Sequence, residues 1–129
     1  MNDQEIEKEI QTKGLTAPRV TPGQINEVIA SEYYFTAGHG IDGSMNADKT
    51  APTYCYEKSL NLLTFCVLVL QNGFVVTGES ACASPENFNA EIGRKIAHQN
   101  AVQKIWPLLG YALKQELYKV GQTKPSEGE

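Results

Sequence analysis

The sequence lacks both a long apolar run and a concentrated block of basic residues. No stretch approaches the ~20 apolar residues of a transmembrane helix, so we expect no membrane partner. Of the 129 residues, 20% are charged, the net charge is −4, and acidic and basic side chains are interleaved. Because nucleic acids are bound by concentrated positive surfaces, this balance argues against DNA or RNA as a partner. It leaves room for a small local basic pocket.

Cysteine is also scarce. Cys55, Cys66 and Cys82 are an odd number at wide spacing, without a Cys-x-x-Cys pair, which argues against a disulfide framework or a zinc site. The polar, acidic N-terminus has neither the basic nor the apolar segment of a signal peptide. We therefore expect a cytoplasmic protein that carries no metal and no cofactor.

The length fits a single domain with one modest core. Two isoleucines four residues apart predict a thin helix over residues 3–12, which Gly14 ends. Thr21 as cap and Pro22 at the first helical position predict a second helix. The predicted organisation is an N-terminal arm with a short helix (1–20), a helix (21–35), a loop (36–59), a hairpin-plus-helix core (60–113) and a flexible tail (121–129).

The glycine-rich segment 36–59 reads as a long loop, a kind of segment that is often functional or mobile. His39 lies between two glycines there, but no cysteine, serine motif or carboxylate stands at a spacing that would make it catalytic, so we interpret it as an ordinary loop histidine. The acidic and amide residues that follow do not have the spacing of a calcium loop. No metal site is predicted.

The firmest prediction is a β-hairpin. Residues 62–70 are almost wholly apolar, which predicts a strand covered on both faces. Asn72-Gly73 supplies a tight turn, and residues 74–77 form the partner strand. Gly78 then either breaks that strand or lets another element approach closely.

A long helix should follow the hairpin, beginning at or just after Ser84 with Pro85 in its first turn. At 100° per residue, small residues fall on one narrow arc that permits close backbone packing: Ala90, Gly93, Ala97 and Ala101. Pro107 should end or kink this helix, with a short helix following. The predicted fold class is α+β, a small antiparallel hairpin or sheet packed against a long C-terminal helix, with N-terminal helices.

The opposite side of the long helix is polar and carries Arg94, Lys95 and His98. One interpretation is a solvated surface, where a Glu91–Lys95 pair contributes only ~0.2–0.5 kcal/mol. The other is an anion site that includes the free amides at the helix start, with Ser80, Ser84 and Asn87. Residue chemistry alone favours the first.

Several motifs resemble a known family of small tailed-phage proteins, named after gene products forty-nine and sixty-six of two podophages. They are Asn-Gly-Phe at 72–74, Gly-Glu-Ser-Ala-Cys at 78–82, Ser-Pro-Glu-Asn-Phe at 84–88, Glu-Ile-Gly-Arg-Lys-Ile-Ala at 91–97 and Ile-Trp-Pro-Leu-Leu-Gly-Tyr at 105–111. The segments at 15–22 and 31–35 also fit, so the resemblance covers nearly the whole chain except residues 38–59 and the tail.

The same motifs are similar to the first described anti-Thoeris phage proteins. That similarity implies an oligomeric sponge, neither enzyme nor cofactor carrier, that holds a cyclic ADP-ribose isomer or a cyclic oligonucleotide in the infected host's cytoplasm. A homo-oligomer is therefore expected, with a dimer as building unit and a hexamer as a larger form. The small-residue arc and the thin N-terminal helix also suggest that one chain does not complete its own core.

For such a ligand, Phe88 or Phe74 would stack on a base, asparagines would bind base or ribose edges, and cations would hold a pyrophosphate. Arg19 would line a second or inter-subunit site. The candidate ligand-binding residues are Arg19, Phe74, Ser80, Ser84, Asn87, Phe88, Asn89, Arg94, Lys95 and His98. Two other functions stay open: inhibition of a host protein through an apolar helical surface, and an enzyme that uses His39, Cys82 or His98.

Overall fold

A computed structural model describes residues 2–15, 17–47 and 55–123 of the chain. It has an α+β fold, which confirms the predicted class. The elements are helices α1 (Asp3–Thr12), α2 (Pro22–Val28), α3 (Ala37–Ala47) and α4 (Ala90–Thr123), strands β1 (Ile29–Thr36), β2 (Leu63–Leu70) and β3 (Val75–Ala81), and 3₁₀ turns at Lys58–Leu62 and Pro85–Asn87.

The chain divides into two compact units. The first contains α1, α2 and the part of α4 from Ile105 onward, and the second contains the sheet, α3 and α4 up to Lys104. The prediction of a single domain over residues 1–129 stays a prediction. Its loop residues 48–54 and tail residues 124–129 lie outside the described residues.

Helix α1 begins with a reciprocal cap. The Asn2 side chain accepts from the Glu5 N–H at 2.8 Å, and the Glu5 carboxylate accepts from the Asn2 N–H at 3.3 Å. These bonds satisfy two of the amides that every helix start leaves open. The helix ends before Gly14, which has a φ of 69°, so the predicted helix over residues 3–12 is confirmed.

Helix α2 starts where the sequence predicts and ends earlier. Thr21 and Gln24 bond to each other's backbone amides, both at 3.2 Å, and Pro22 is the first helical residue. The helix stops at Val28 and the chain continues as β1, so the predicted helix over 21–35 is wrong beyond Val28. Pairing with β2 decides this, because β-branched and aromatic residues suit a strand once a partner strand is present.

The sheet has three antiparallel strands in the order β1-β2-β3, with the predicted hairpin formed by β2 and β3. Gly73 in the turn has a φ of 89°, which a glycine adopts without strain. Along β2, Thr64, Cys66, Leu68 and Leu70 are buried and the alternate residues are only half-buried. The expectation that both faces of this strand are covered holds in full for one face, which packs in the core, and only in part for the other, which is half-buried.

The core of the second unit forms where α4 crosses Gly78. A Cβ atom at Gly78 would overlap the Ala97 carbonyl oxygen and the Ala101 backbone, and both alanines are fully buried. The predicted close approach at Gly78 is confirmed. The small-residue arc is used within the chain for this contact, so it does not by itself indicate a missing partner.

The predicted loop over 36–59 is wrong for its first part, where α3 forms, and for its end, where the 3₁₀ turn Lys58–Leu62 begins. Gly38 is buried in α3, and a Cβ atom there would overlap the Asn61 side chain. A larger residue at this position would therefore require the Asn61 side chain to move.

Helix α4 contains Pro107 in its interior and continues to Thr123. Proline removes one backbone bond and crowds the preceding turn, yet one lost bond is a small part of a helix of 34 residues. The predicted separate terminal helix, and the predicted tail at residues 121–123, are therefore wrong. Across the ranges that the structure describes, no helix has both the length and the apolar character needed to cross a membrane.

Candidate ligand-binding site

The segment before α4 differs from the predicted continuous helix. Ser84 precedes the 3₁₀ turn Pro85–Asn87, and its side chain makes no capping bond. The α-helix begins only at Ala90, where the Asn89 side chain accepts from the Ile92 N–H at 3.0 Å. The prediction of a helix start at Ser84 therefore holds for a short 3₁₀ turn and is wrong for α4. The positive end of the α4 dipole lies at Asn89, not at Ser84.

A groove of about 320 Å³ lies in the second unit, at the end of the sheet where β1 ends and β2 begins. Its walls combine aromatic rings, hydroxyl and amide groups and one guanidinium, and the lining residues are Tyr34, Phe35, Thr36, His39, Asn61, Thr64, Phe88, Ala90 and Arg94. A volume of this size is at the lower end of small-molecule sites. The mixture of rings, neutral polar groups and a cation suits a ligand with an aromatic ring and an anionic group.

Two further cavities adjoin this groove through shared residues. A cavity of about 140 Å³ shares Thr64 and Phe88 with it, and its lining includes Ser80, Asn87 and Asn89. A third cavity, of about 410 Å³, shares Tyr34 and Arg94 with the groove and is also lined by Glu32, Lys95 and His98. We call the groove the central cavity, the cavity of 140 Å³ the inner cavity and the cavity of 410 Å³ the outer cavity.

The three basic side chains of α4 differ in their partners. Lys95 pairs with Glu91 at 3.3 Å, and His98 Nε2 lies 3.5 Å from the Glu32 carboxylate. Within the described residues, Arg94 has no salt-bridge partner. Arg94 is thus the cation of this group that is available to an anionic ligand, and it borders both the central and the outer cavity.

Tyr34 and Cys66 are paired across β1 and β2. Burial raises the pKa of the Tyr34 phenol, and the neighbouring Cys66 thiol and Glu32 carboxylate add to that shift. Burial likewise raises the pKa of Cys66. Both groups are therefore neutral at physiological pH, so Tyr34 presents a protonated hydroxyl at the boundary of the central and outer cavities.

His39 has a structural role at the start of α3. Its Nδ1 accepts from the Thr36 N–H at 3.1 Å, and the Thr36 hydroxyl accepts from the His39 N–H at 3.1 Å. This reciprocal pair is a helix cap. Cys82 is similarly local, because its thiol donates to the Ser84 carbonyl oxygen at 3.2 Å. His39, Cys82 and His98 border three different cavities.

The structure brings most of the predicted ligand-binding residues together around α4. Ser80, Asn87, Phe88 and Asn89 border the inner cavity, while Arg94, Lys95 and His98 border the outer one. Asn89 also caps α4, because its side chain accepts from the Ile92 N–H.

Three predicted residues lie elsewhere. Phe74 is more than half exposed at the hairpin turn and borders none of the three cavities, and neither does Ser84. Arg19 belongs to the first unit, where its guanidinium bonds the Glu7 carboxylate at 2.5 and 2.7 Å. This bidentate pair accounts for the position of the Arg19 side chain, because the Glu7 carboxylate already accepts two of the guanidinium N–H groups.

Sequence reasoning missed Tyr34, Thr36, Asn61 and Thr64. The sequence did not indicate Tyr34 and Thr36, because Tyr34 lies in the segment that was predicted as a helix and Thr36 in the segment that was predicted as a loop. Only the pairing of β1 with β2 turns these side chains toward α4. Thr64 did leave a signal, since it is a lone hydroxyl residue at the start of an apolar strand. Within residues 2–15, 17–47 and 55–123, no three His, Cys, Asp or Glu side chains come together as a metal ion would require.

Comparison with known families identifies the family of the chain. The model of a phage protein family, described by N4 Gp49 and phage Sf6 gene 66, matches residues 20–117. No curated protein and no solved structure matches the chain. The match contains all three strands and the whole of the second unit, residues 29–104, and therefore all three cavities.

Proposed function

Because the chain belongs to the phage protein family of N4 Gp49 and phage Sf6 gene 66, we propose that it is a phage counter-defence protein acting in the cytoplasm of the infected host. Its function in this proposal is to bind and sequester a cyclic ADP-ribose type or cyclic oligonucleotide immune signal without cleaving it. The observation that carries the proposal is the central cavity, where Phe88 and Arg94 border one groove.

The chemistry of the groove supports a nucleotide. An aromatic side chain stacks on a base, and a guanidinium binds phosphate oxygens with two parallel hydrogen bonds. Asn61 supplies both an acceptor and donors for the edge of a base. The adjoining inner and outer cavities extend the space beyond a single mononucleotide, as a cyclic dinucleotide-like ligand requires.

The proposal contains no catalytic step. A general base must reach the proton that it removes, and a nucleophile needs a base beside it. His39 and Cys82 are engaged in local bonds to Thr36 and Ser84, in separate cavities. This arrangement favours holding a ligand over converting it.

The sequestration can be tested with purified protein. The protein is incubated with cyclic ADP-ribose, its ribose-linked isomers and cyclic tri-adenylate, washed, and then denatured by heat. We expect at least one compound to be retained and then released intact, as judged by chromatography and mass. Retention of none of them would contradict binding, and recovery of a linear or hydrolysed product would contradict sequestration.

The role of Arg94 can be tested separately. Arg94→Ala should weaken binding of the retained compound by about 10- to 100-fold, because a hydrogen bond to a charged group contributes ~1.5–3 kcal/mol. Lys104→Ala is the matched control, since it removes one exposed positive charge from the same helix about 15 Å along the axis. Calorimetric titration would check both, and an equal loss in both variants would contradict a specific contact at Arg94.

The proposal also includes a homo-oligomer built from dimers. The open face of the sheet supports self-association, because Tyr33, Phe35 and Val75 are each at least 39% exposed there and apolar residues of this kind commonly lie in subunit interfaces. Light scattering at micromolar concentration should give at least twice the mass of the chain. A monomer at that concentration would contradict this part of the proposal.

A second candidate function is the binding of a host protein. It is favoured by exposed apolar residues on α4 in the first unit, where Leu108, Tyr111 and Tyr118 recur at helical spacing. Such a stripe can enter the groove of a partner. A Tyr111→Ser/Tyr118→Ser variant that keeps ligand binding but loses capture of a host protein would favour this function over the first.

A further inference from the structure

Thr64 is an exception in its strand. It is only 3% exposed, its neighbours in β2 are apolar residues and one cysteine, and its Oγ1 has no hydrogen-bond partner among the described residues. A buried hydroxyl without a partner lowers stability. Valine has nearly the same shape and would fit the strand without this loss, so stability alone does not account for a threonine here.

Thr64 is also the middle of a row of hydroxyl residues. It pairs with Thr36 on β1 and with Ser80 on β3, so the three side chains lie side by side on one face of the sheet. The Thr36 hydroxyl accepts from the His39 amide and keeps its own proton for donation. The row is neutral and can both donate and accept hydrogen bonds.

Thr64 lies where the central and inner cavities adjoin. Thr64 and Phe88 border both the central and the inner cavity. Gly93 of α4 lies directly above, where a Cβ atom would be 3.1 Å from Thr64 Oγ1 and 4.0 Å from Cε2 of Phe88. Phe88 itself lies between the 3₁₀ turn and α4, outside either helix, so rotation of its side chain would not require a helix to unfold.

We propose that the Thr64 hydroxyl is a ligand contact that recognises a ribose hydroxyl, reached when the Phe88 ring turns aside and joins the central and inner cavities. The inference rests on the proposed function and assigns the sugar end of that ligand. Ribose hydroxyls both donate and accept, which matches the neutral row, whereas the anionic end of the ligand faces Arg94 at the border of the central and outer cavities. Thr64 thereby selects ligands by their sugar and Arg94 by their charge.

Two variants of the full chain test this assignment. Thr64→Val removes the hydroxyl and keeps the shape, and Thr64→Ser keeps the hydroxyl. Thr64→Val should raise the melting temperature of the ligand-free protein by roughly 2–6 °C, because an unpartnered buried hydroxyl is removed. The same variant should bind the compound retained by the wild type about tenfold more weakly, equivalent to ~1.4 kcal/mol. Thr64→Ser should bind it within about twofold of the wild type.

The retained compound is then compared with analogues that lack the 2′ or the 3′ hydroxyl of a ribose. For one of these analogues, the wild type should bind about tenfold more weakly than it binds the retained compound. Thr64→Val should bind that analogue as well as it binds the retained compound, because the variant already lacks the protein hydroxyl that would contact the ribose.

The outcomes separate the two ideas. If the wild type retains none of the cyclic compounds, the proposed function fails and this inference fails with it. If the wild type binds but Thr64→Val binds equally well, or if every analogue affects both proteins alike, only the assignment of Thr64 is overturned. A lower melting temperature for Thr64→Val would also overturn it, since the hydroxyl would then have a structural partner.

Discussion

At the scale of single residues, the roles in this protein are set by partners rather than by residue type. Arg94 and Lys95 are adjacent cations on one helix, yet Lys95 is paired with Glu91 and Arg94 is not paired within the described residues. Exposed ion pairs such as Glu91–Lys95 contribute little to stability. The Arg94 guanidinium, which borders the central cavity together with Phe88, is the one that matters for the proposed ligand.

Tyr34 gives a prediction at this scale. Burial raises the pKa of its phenol, so folding favours the neutral form. The resulting stabilisation is fully present below the ordinary tyrosine value of about 10 and is lost as the pH rises beyond it. In Tyr34→Phe the free energy of unfolding should therefore fall less between pH 8 and pH 11 than in the wild type, as measured by urea unfolding.

Tyr111→Phe is the control, because it changes a phenol that is 73% exposed. It should follow the wild type over the same pH range. Parallel curves for the wild type and Tyr34→Phe would show that the Tyr34 phenol titrates alike in the folded and unfolded chain.

At the scale of elements, close packing of α4 on the sheet depends on glycine at one position of β3. Gly78 has no room for a Cβ atom because the backbone of α4 lies against it. Gly78→Ala should therefore lower the free energy of unfolding by about 3 kcal/mol or more, since backbone must shift. Equilibrium unfolding in urea would measure this change.

Gly110→Ala is the matched control in α4, where a Cβ atom would meet nothing within 4 Å. It should raise the free energy of unfolding by roughly 0.5–1 kcal/mol, because alanine is a better helix former than glycine. Equal effects of the two substitutions would contradict the close approach at Gly78.

At the scale of the whole molecule, the chain combines two units with different chemistry. The second unit contains the central, inner and outer cavities. In the first unit, the bidentate pair of Glu7 in α1 and Arg19 before α2 connects these two segments of the chain. Hydrogen bonds from Arg19 lower the pKa of the Glu7 carboxyl below its ordinary 4.5. The pair stabilises the first unit while Glu7 is ionised.

An acid titration tests this pair. A lowered carboxyl pKa gives a stabilisation that is present above the ordinary pKa and is lost as the pH falls through the folded-state value. The melting temperature of the wild type should therefore fall more steeply between pH 5 and pH 3 than that of Glu7→Gln. Glu116→Gln, at an exposed position of α4 in the same unit, should follow the wild type; the same slope for Glu7→Gln would contradict the pKa shift.

The parts of this fold that could be predicted are those with a local cause. Asn72-Gly73 forms its turn and Thr21-Pro22 starts α2, because each depends on neighbours a few residues away. The small residues of α4 indicate a face that can pack closely, but the position of Gly78 against that face is set by the tertiary structure. The strand β1 could not be predicted in this way. Its residues follow directly on a helix, and only β2, more than twenty residues later, makes them a strand.

The residues of the candidate site likewise differ in whether the sequence could predict them. Phe88 and Arg94 were predicted from the sequence because their segment is a turn followed by a polar helix face, and both border the central cavity. Tyr34 and Thr64 reach that cavity only through strand pairing and the crossing of α4. The sequence by itself therefore determined the Asn72-Gly73 turn, the Thr21-Pro22 helix start and the polar face of α4. Only the tertiary structure decided which cation lacks a salt-bridge partner, and which buried hydroxyl lacks a hydrogen bond, among the described residues. The physical reason is that a hydrogen bond or ion pair needs both of its members in place, and here the second member comes from a distant part of the chain.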